Sequence, residues 1–144
     1  MFSASGSPIQ HAVIRAKSGI IMPTPKMIAV VDDDASMLKS IERLLGAYGF
    51  ATKVFASAEA FLDLDAAADV DCLLIDIHLG GMSGIDLRRH LTASGCKLPV
   101  IFMTAFDDEA TRMQAKSAGC IAFLHKPFVA NLLLGAIEQA APGT

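Results

Sequence analysis

Met27-Ile28-Ala29-Val30-Val31-Asp32-Asp33-Asp34 is a short apolar run that ends on three carboxylates. Three later runs end the same way: Cys72-Leu73-Leu74-Ile75 on Asp76, Val100-Ile101-Phe102-Met103 on Thr104, and Ile121-Ala122-Phe123-Leu124-His125 on Lys126. Short runs rich in Val, Ile, Leu and Phe, separated by helix-length segments, read as buried parallel strands, because a parallel sheet is covered on both faces and loses the alternating pattern. Parallel strands deliver their C-terminal ends to one rim, where open α/β sheets bind ligands. An acidic triplet, a lone Asp, a hydroxyl and an amine are therefore expected to converge on one site.

Working outward from residues 27–31, a helix is expected over 35–48, where Met37, Ile41, Leu44, Leu45 and Tyr48 keep the helical period and Gly49 supplies a stop. A second strand over 51–55 carries Thr52 and Lys53, polar enough for a sheet edge, and Ser57 is placed to cap a short helix reaching residue 64. After the strand at 72–75, a loop with His78, Gly80, Gly81 and Gly84 leads to a helix over 85–94. Pro99 opens the strand at 100–103, and Asp107, Asp108 and Glu109 suit the first turn of a helix that Gly119 ends. A strand over 121–124 and a helix over 129–140 complete five strand and helix units. Right-handed crossovers make a doubly wound α/β sheet the economical topology.

At 144 residues, 53% of them hydrophobic, the chain is expected to hold one domain with a sizeable core. None of its apolar runs approaches the roughly 20 residues of a membrane-spanning helix. Cys72, Cys96 and Cys120 are widely spaced with no CxxC pair, as for buried, reduced thiols in a reducing compartment, so the expected location is cytoplasmic. The chain has 12 Lys and Arg against 15 Asp and Glu, and three of its bases, Arg15, Lys17 and Lys26, precede the first acid. The remainder is acidic with no basic stripe, which argues against direct nucleic-acid binding. Residues 1–25, rich in Ser, Gly and Pro, read as a tail: a cloning remnant or the product of an early start ahead of Met22 or Met27, with a functional arm as the alternative. Residues 26–141 form the domain and 142–144 a short end; nothing in the sequence decides between a single-domain protein and a piece of a longer one.

Carboxylates of Asp32 and Asp33 brought within about 4 Å of Asp76 would repel by about 4 kcal/mol per pair at an effective dielectric near 20. Such a cluster calls for a cation, and all-oxygen ligands favour hard Mg²⁺. The same ion offsets charge on a phosphoryl group moving onto Asp76, while Lys126 and Thr104 are placed to bind its other oxygens. Each part alone has an ordinary explanation, since Asp triplets cap helices and strand-end Thr is common. The ordered set, each member at a strand end, is the specific signal.

In V-V-D-D-D, L-L-I-D-I-H-L-x-x-M-S-G, M-T-A and K-P-F, in that order and spacing, residues 26–141 resemble the receiver domain of two-component response regulators. The resemblance implies a flavodoxin-like five-stranded parallel sheet, order 2-1-3-4-5, with helices on both faces. It implies that Asp76 accepts phosphate from a histidine kinase or histidine phosphotransfer protein, that Asp33, Asp76 and the His78 backbone carbonyl bind Mg²⁺, and that Asp32 holds a metal-bound water. Thr104 and Lys126 would bind the phosphoryl group, and Phe123 would move with Thr104 to regulate a homodimer or a downstream protein contact. Catalysis would be limited to the domain's own phosphorylation and dephosphorylation. Two rivals are a haloacid-dehalogenase-like phosphatase, disfavoured because no acid stands two residues after Asp76, and a receiver-like docking domain that is never phosphorylated.

Departures from the family pattern also carry expectations. Gly80 replaces a usual Pro and should loosen the loop after Asp76; Val129 replaces an acidic cap and should weaken the start of the last helix. Phe106 is expected at the site mouth, and His78 and His125 on solvated loops. Leu38, apolar where receivers often carry charge, is expected to be exposed for docking. So is at least one of Leu132, Leu133 and Leu134, which together span about 200° of a helix.

Overall fold

The computed structural model describes residues 13–15 and 21–142. Strands β1 (Val13–Arg15) and β2 (Ile21–Pro23) pair antiparallel, inside the stretch read from sequence as a tail. Then follow β3 (Met27–Val31), α1 (Ala35–Ala47), β4 (Ala51–Phe55), α2 (Ala58–Asp63), a 3-10 turn (Ala66–Asp69), β5 (Cys72–Asp76) and α3 (Gly84–Ala93). The chain continues through β6 (Val100–Thr104), α4 (Glu109–Ala118), β7 (Ala122–His125) and α5 (Ala130–Ala140). The five parallel strands are ordered β4-β3-β5-β6-β7, which is the expected order 2-1-3-4-5 counted from β3.

Successive strand residues point to opposite faces, and each face buries its own core. Ala29, Val31, Leu73, Ile75 and Phe102 pack with Phe61 of α2, Leu87 and Leu91 of α3 and Ala115 of α4. Ile28, Val30, Leu74, Ile101 and Met103 pack with Ile41 and Leu45 of α1 and Leu133 and Ile137 of α5. The central strands β5 and β6 are buried at every position, whereas β4, an edge strand, is not.

Side-chain caps set the helix starts. Asp34 accepts from Ser36 and Met37, Ser57 from Ala60, Ser83 from Asp86 and Asp108 from Thr111, each filling an orphan backbone donor. Val129, the N-cap residue of α5, offers no side-chain cap, in line with the weak start read from sequence. Gly84 is required by close approach, because a Cβ there would overlap the Asp76 carbonyl oxygen.

Two expectations are corrected. Leu38 is 8% exposed and belongs to the core. At 100° per residue, Leu38 and Leu45 lie about 60° and 40° to one side of Ile41, and Met37 and Leu44 lie to the other. The sheet meets the Leu38 and Leu45 flank, leaving Met37 and Leu44 half-buried and Tyr48 exposed. His125 ends strand β7 and is not in a loop. On α5, Leu132 faces outward at 57% exposure while Leu133 is buried.

Candidate functional site

The C-terminal rim brings the expected residues together. Asp32 and Asp33 follow β3, Asp76 ends β5, Thr104 ends β6 and Lys126 follows β7. Backbone ladders run past the strand ends: Asp32 donates to the Phe55 carbonyl at 3.1 Å, Ile77 to Met103 at 2.9 Å and Lys126 to Thr104 at 2.7 Å. Side chains based on such backbone have little freedom to drift.

The carboxylates of Asp32, Asp33 and Asp76 each offer an oxygen within 4.8 Å of the others. Asp32 and Asp76 are buried; Asp33 is exposed. The Lys126 ammonium donates to Asp32 Oδ2 at 2.7 Å and to Asp76 Oδ2 at 3.1 Å. The other oxygens take backbone donors: Asp32 Oδ1 from Asp34 at 2.9 Å, Asp76 Oδ1 from His78 at 3.1 Å. One ammonium against three carboxylates leaves net negative charge, and the donors are all hard oxygens. This set fits Mg²⁺.

Burial pushes the Asp76 carboxyl above its ordinary pKa, and the Asp32 charge adds to that; the Lys126 charge and the His78 amide oppose without cancelling it. Burial alone would lower Lys126, but the hydrogen bond to Asp32 and the charges of Asp76 and Asp32 raise it overall. Lys126 is therefore held as an ammonium across neutral pH.

Thr104 is fully buried, and its hydroxyl accepts from the Phe106 amide at 3.0 Å and meets His78 Nδ1 at 3.0 Å. The His78 and Phe106 rings meet edge to face, centroids 4.7 Å apart. His78 is thus exposed on its loop, as expected, but its ring also holds the threonine, a contact that sequence reading missed. Phe106, 57% exposed, stands beside Thr104 at the rim.

The loop after Asp76 has a restraint that was also missed. Glu59 of α2 accepts from the Met82 amide at 2.8 Å, with Oε2 2.7 Å from where a Gly81 Cβ would lie. Asp33 Oδ2 takes the Gly80 amide at 3.3 Å. A loop expected to be loose through Gly80 is thus tied to both sides. The residue 23 positions upstream that holds it leaves no local pattern to find.

Phe123 is half-buried on β7, with the Arg112 guanidinium 5.6 Å from its ring centre. It lines a groove of about 690 Å³ between α4 and β7, with Arg112, Met113 and Ile121. The groove lies apart from the acid cluster, and none of the three carboxylates lines it.

Residues 28–138 match the family model of the response regulator receiver domain. The chain is 38% identical over 114 residues to the response regulator protein TmoT of Ectopseudomonas mendocina, covering 79% of this chain and 52% of that one. It is 35% identical over 119 residues to the transcriptional regulatory protein FixJ of Bradyrhizobium diazoefficiens, covering 83% and 58%. It thus spans about half the length of these curated relatives. A crystal structure of FixJ-N superposes with TM-score 0.74 at 35% identity, covering 83% of this chain and 95% of that one.

Proposed function

The chain belongs to the response regulator receiver family, and from that premise we propose that Asp76 accepts a phosphoryl group from a histidine kinase or histidine phosphotransfer protein. The observation that carries the reading is the double hydrogen bond of Lys126 to Asp32 and Asp76, which sets a buried carboxylate beside a fixed ammonium within an acidic, oxygen-only donor cluster.

In this reading an Asp76 carboxylate oxygen forms a bond to phosphorus as the phosphohistidine nitrogen–phosphorus bond breaks. Asp33, Asp76 and the His78 carbonyl would hold Mg²⁺ directly, and Asp32 through a water. Bound there, the ion supplies positive charge beside the phosphoryl oxygens. Lys126 moves from carboxylate to phosphoryl oxygen and Thr104 binds another; each stabilises charge where it develops. The domain acts only on its own aspartate, by phosphorylation and later hydrolysis.

The readout is a change of protein contact, in a homodimer or with a downstream partner, in the cytoplasm. The groove beside Phe123 and the outward Leu132 of α5 each offer apolar surface for such a contact. The acidic balance supports a protein partner over nucleic acid, and no helix among the described residues is long and apolar enough to cross a membrane.

Intact-mass measurement with a small phosphodonor tests the reading. Wild type should gain one phosphoryl group with Mg²⁺ and none in chelator. An Asp76→Asn chain that gains it equally would overturn the assignment.

A further inference from the structure

We infer that the His78 imidazole is a latch on Thr104: it holds the threonine hydroxyl proton in the unphosphorylated chain and must surrender it before that hydroxyl can bind a phosphoryl oxygen. The inference rests on the phosphoacceptor reading above and adds a positioning residue to it.

The argument is one of hydrogen-bond satisfaction. A hydroxyl has one proton to donate and two lone pairs to accept with. The Thr104 hydroxyl is fully buried, and one lone pair is taken by the Phe106 amide, which can only donate. A buried hydroxyl proton without an acceptor is costly, so it is expected to find one. Among the described residues, the only other hydrogen-bond partner of Thr104 Oγ1 is His78 Nδ1 at 3.0 Å. Nδ1 therefore accepts, which places the ring proton on Nε2. The ring is held in that pose from two sides, by its edge-to-face contact with Phe106 and by a backbone whose amide is fixed on Asp76 Oδ1.

Phosphorylation sets up a competition. The Thr104 proton cannot serve His78 Nδ1 and a phosphoryl oxygen together, so the bond to His78 subtracts from phosphoryl binding. In the phosphoacceptor reading above, Thr104 is the residue whose hydroxyl binds a phosphoryl oxygen, so the cost falls on that step. A side chain two residues after the acceptor would thereby set how readily the switch is thrown, acting through Thr104 rather than on phosphorus.

Beryllium fluoride with Mg²⁺, titrated into the full chain, is the probe. His78→Ala keeps the backbone carbonyl but removes the latch, and should bind the probe roughly fivefold tighter, the value of one net side-chain hydrogen bond. His78→Asn, whose amide oxygen can stand in for Nδ1, should move the affinity back toward the unsubstituted chain. In a Thr104→Val background His78→Ala should have no effect, a result that general loosening of the loop would not produce. The ¹⁵N signal of His78 Nδ1 should show an accepted hydrogen bond in the free chain and lose it with either the probe or Thr104→Val.

Equal or weaker binding by His78→Ala, or the same gain in the Thr104→Val background, overturns the latch while leaving the phosphoacceptor reading intact. Failure of the unsubstituted chain to bind the probe sinks that reading, and the latch with it.

Discussion

Lys126 Nζ lies 2.7 Å from Asp32 Oδ2, joining the loop after β7 to the end of β3 across 94 residues of sequence. Asp32 has no exposed surface, so this ammonium is the counter-charge of a buried carboxylate. In the proposed reaction a phosphoryl group would draw the same ammonium away, which gives Lys126 a part in the resting structure as well as in the proposed chemistry.

Lys126→Ala should therefore lower stability by about 2 kcal/mol in chelator, because it leaves a buried charge without its partner. Mg²⁺ should still bind, and should restore part of the loss by supplying positive charge. Asp33→Ala, which deletes an exposed carboxylate proposed to bind the ion, should cost little stability and most of the Mg²⁺ affinity. Urea midpoints and metal titration separate the two. Equal loss of Mg²⁺ binding in both variants would make Lys126 an organiser of the metal site.

Asp76 gives a prediction whose sign is set by its raised pKa. An acid that holds its proton more tightly when folded costs stability as pH rises from its ordinary value of 3.8 through the raised one, and the cost is complete above both. Asp76→Asn has no such charge. In chelator at pH 7 its urea midpoint should exceed that of wild type, and the gap should close below pH 3.8. A lower midpoint at pH 7 would mean that the bond to Lys126 outweighs the burial.

Much of this site was legible because strand-end residues need no side-chain geometry to be placed. Asp32, Asp76, Thr104 and Lys126 reach one rim once the strands are parallel, whatever the packing beneath. Contacts that depend on how a loop folds back were not legible. The ring of His78 meets Thr104 across 26 residues, and Glu59 meets Met82 across 23, with no periodicity to announce either. Leu38 failed for a different reason. Helical period shows that an apolar stripe exists, but the sheet decides which flank of it is covered.

The Glu59 tie can be tested by itself. Its carboxyl lies below the ordinary value chiefly because it accepts the Met82 amide, so its stabilising effect is present above 4.5 and fades as pH falls through the lowered pKa. Glu59→Ala should speed hydrogen exchange at Met82 with little change in exchange across β5. Exchange at Met82 equal to wild type would show that Gly80 and Asp33 hold the loop without Glu59.

Leu38 and Leu132 should now part company. Leu38 is packed among Ile41, Leu45 and the sheet, and a carboxylate there would be buried without a partner. Leu38→Glu should cost several kcal/mol, on the order of 3 or more, and any loss of phosphotransfer would follow from unfolding rather than from a damaged docking surface. Leu132 faces solvent on α5, next to the exposed Val129. Leu132→Glu should change stability by less than about 0.5 kcal/mol, yet weaken any association seen with beryllium fluoride, since a charge would enter an apolar contact. Urea midpoints decide the first claim, and sedimentation with and without the mimic decides the second. A Leu38→Glu chain as stable as wild type would put α1 in the wrong rotation. A Leu132→Glu chain that associates as wild type does would remove this face of α5 from the switched interface.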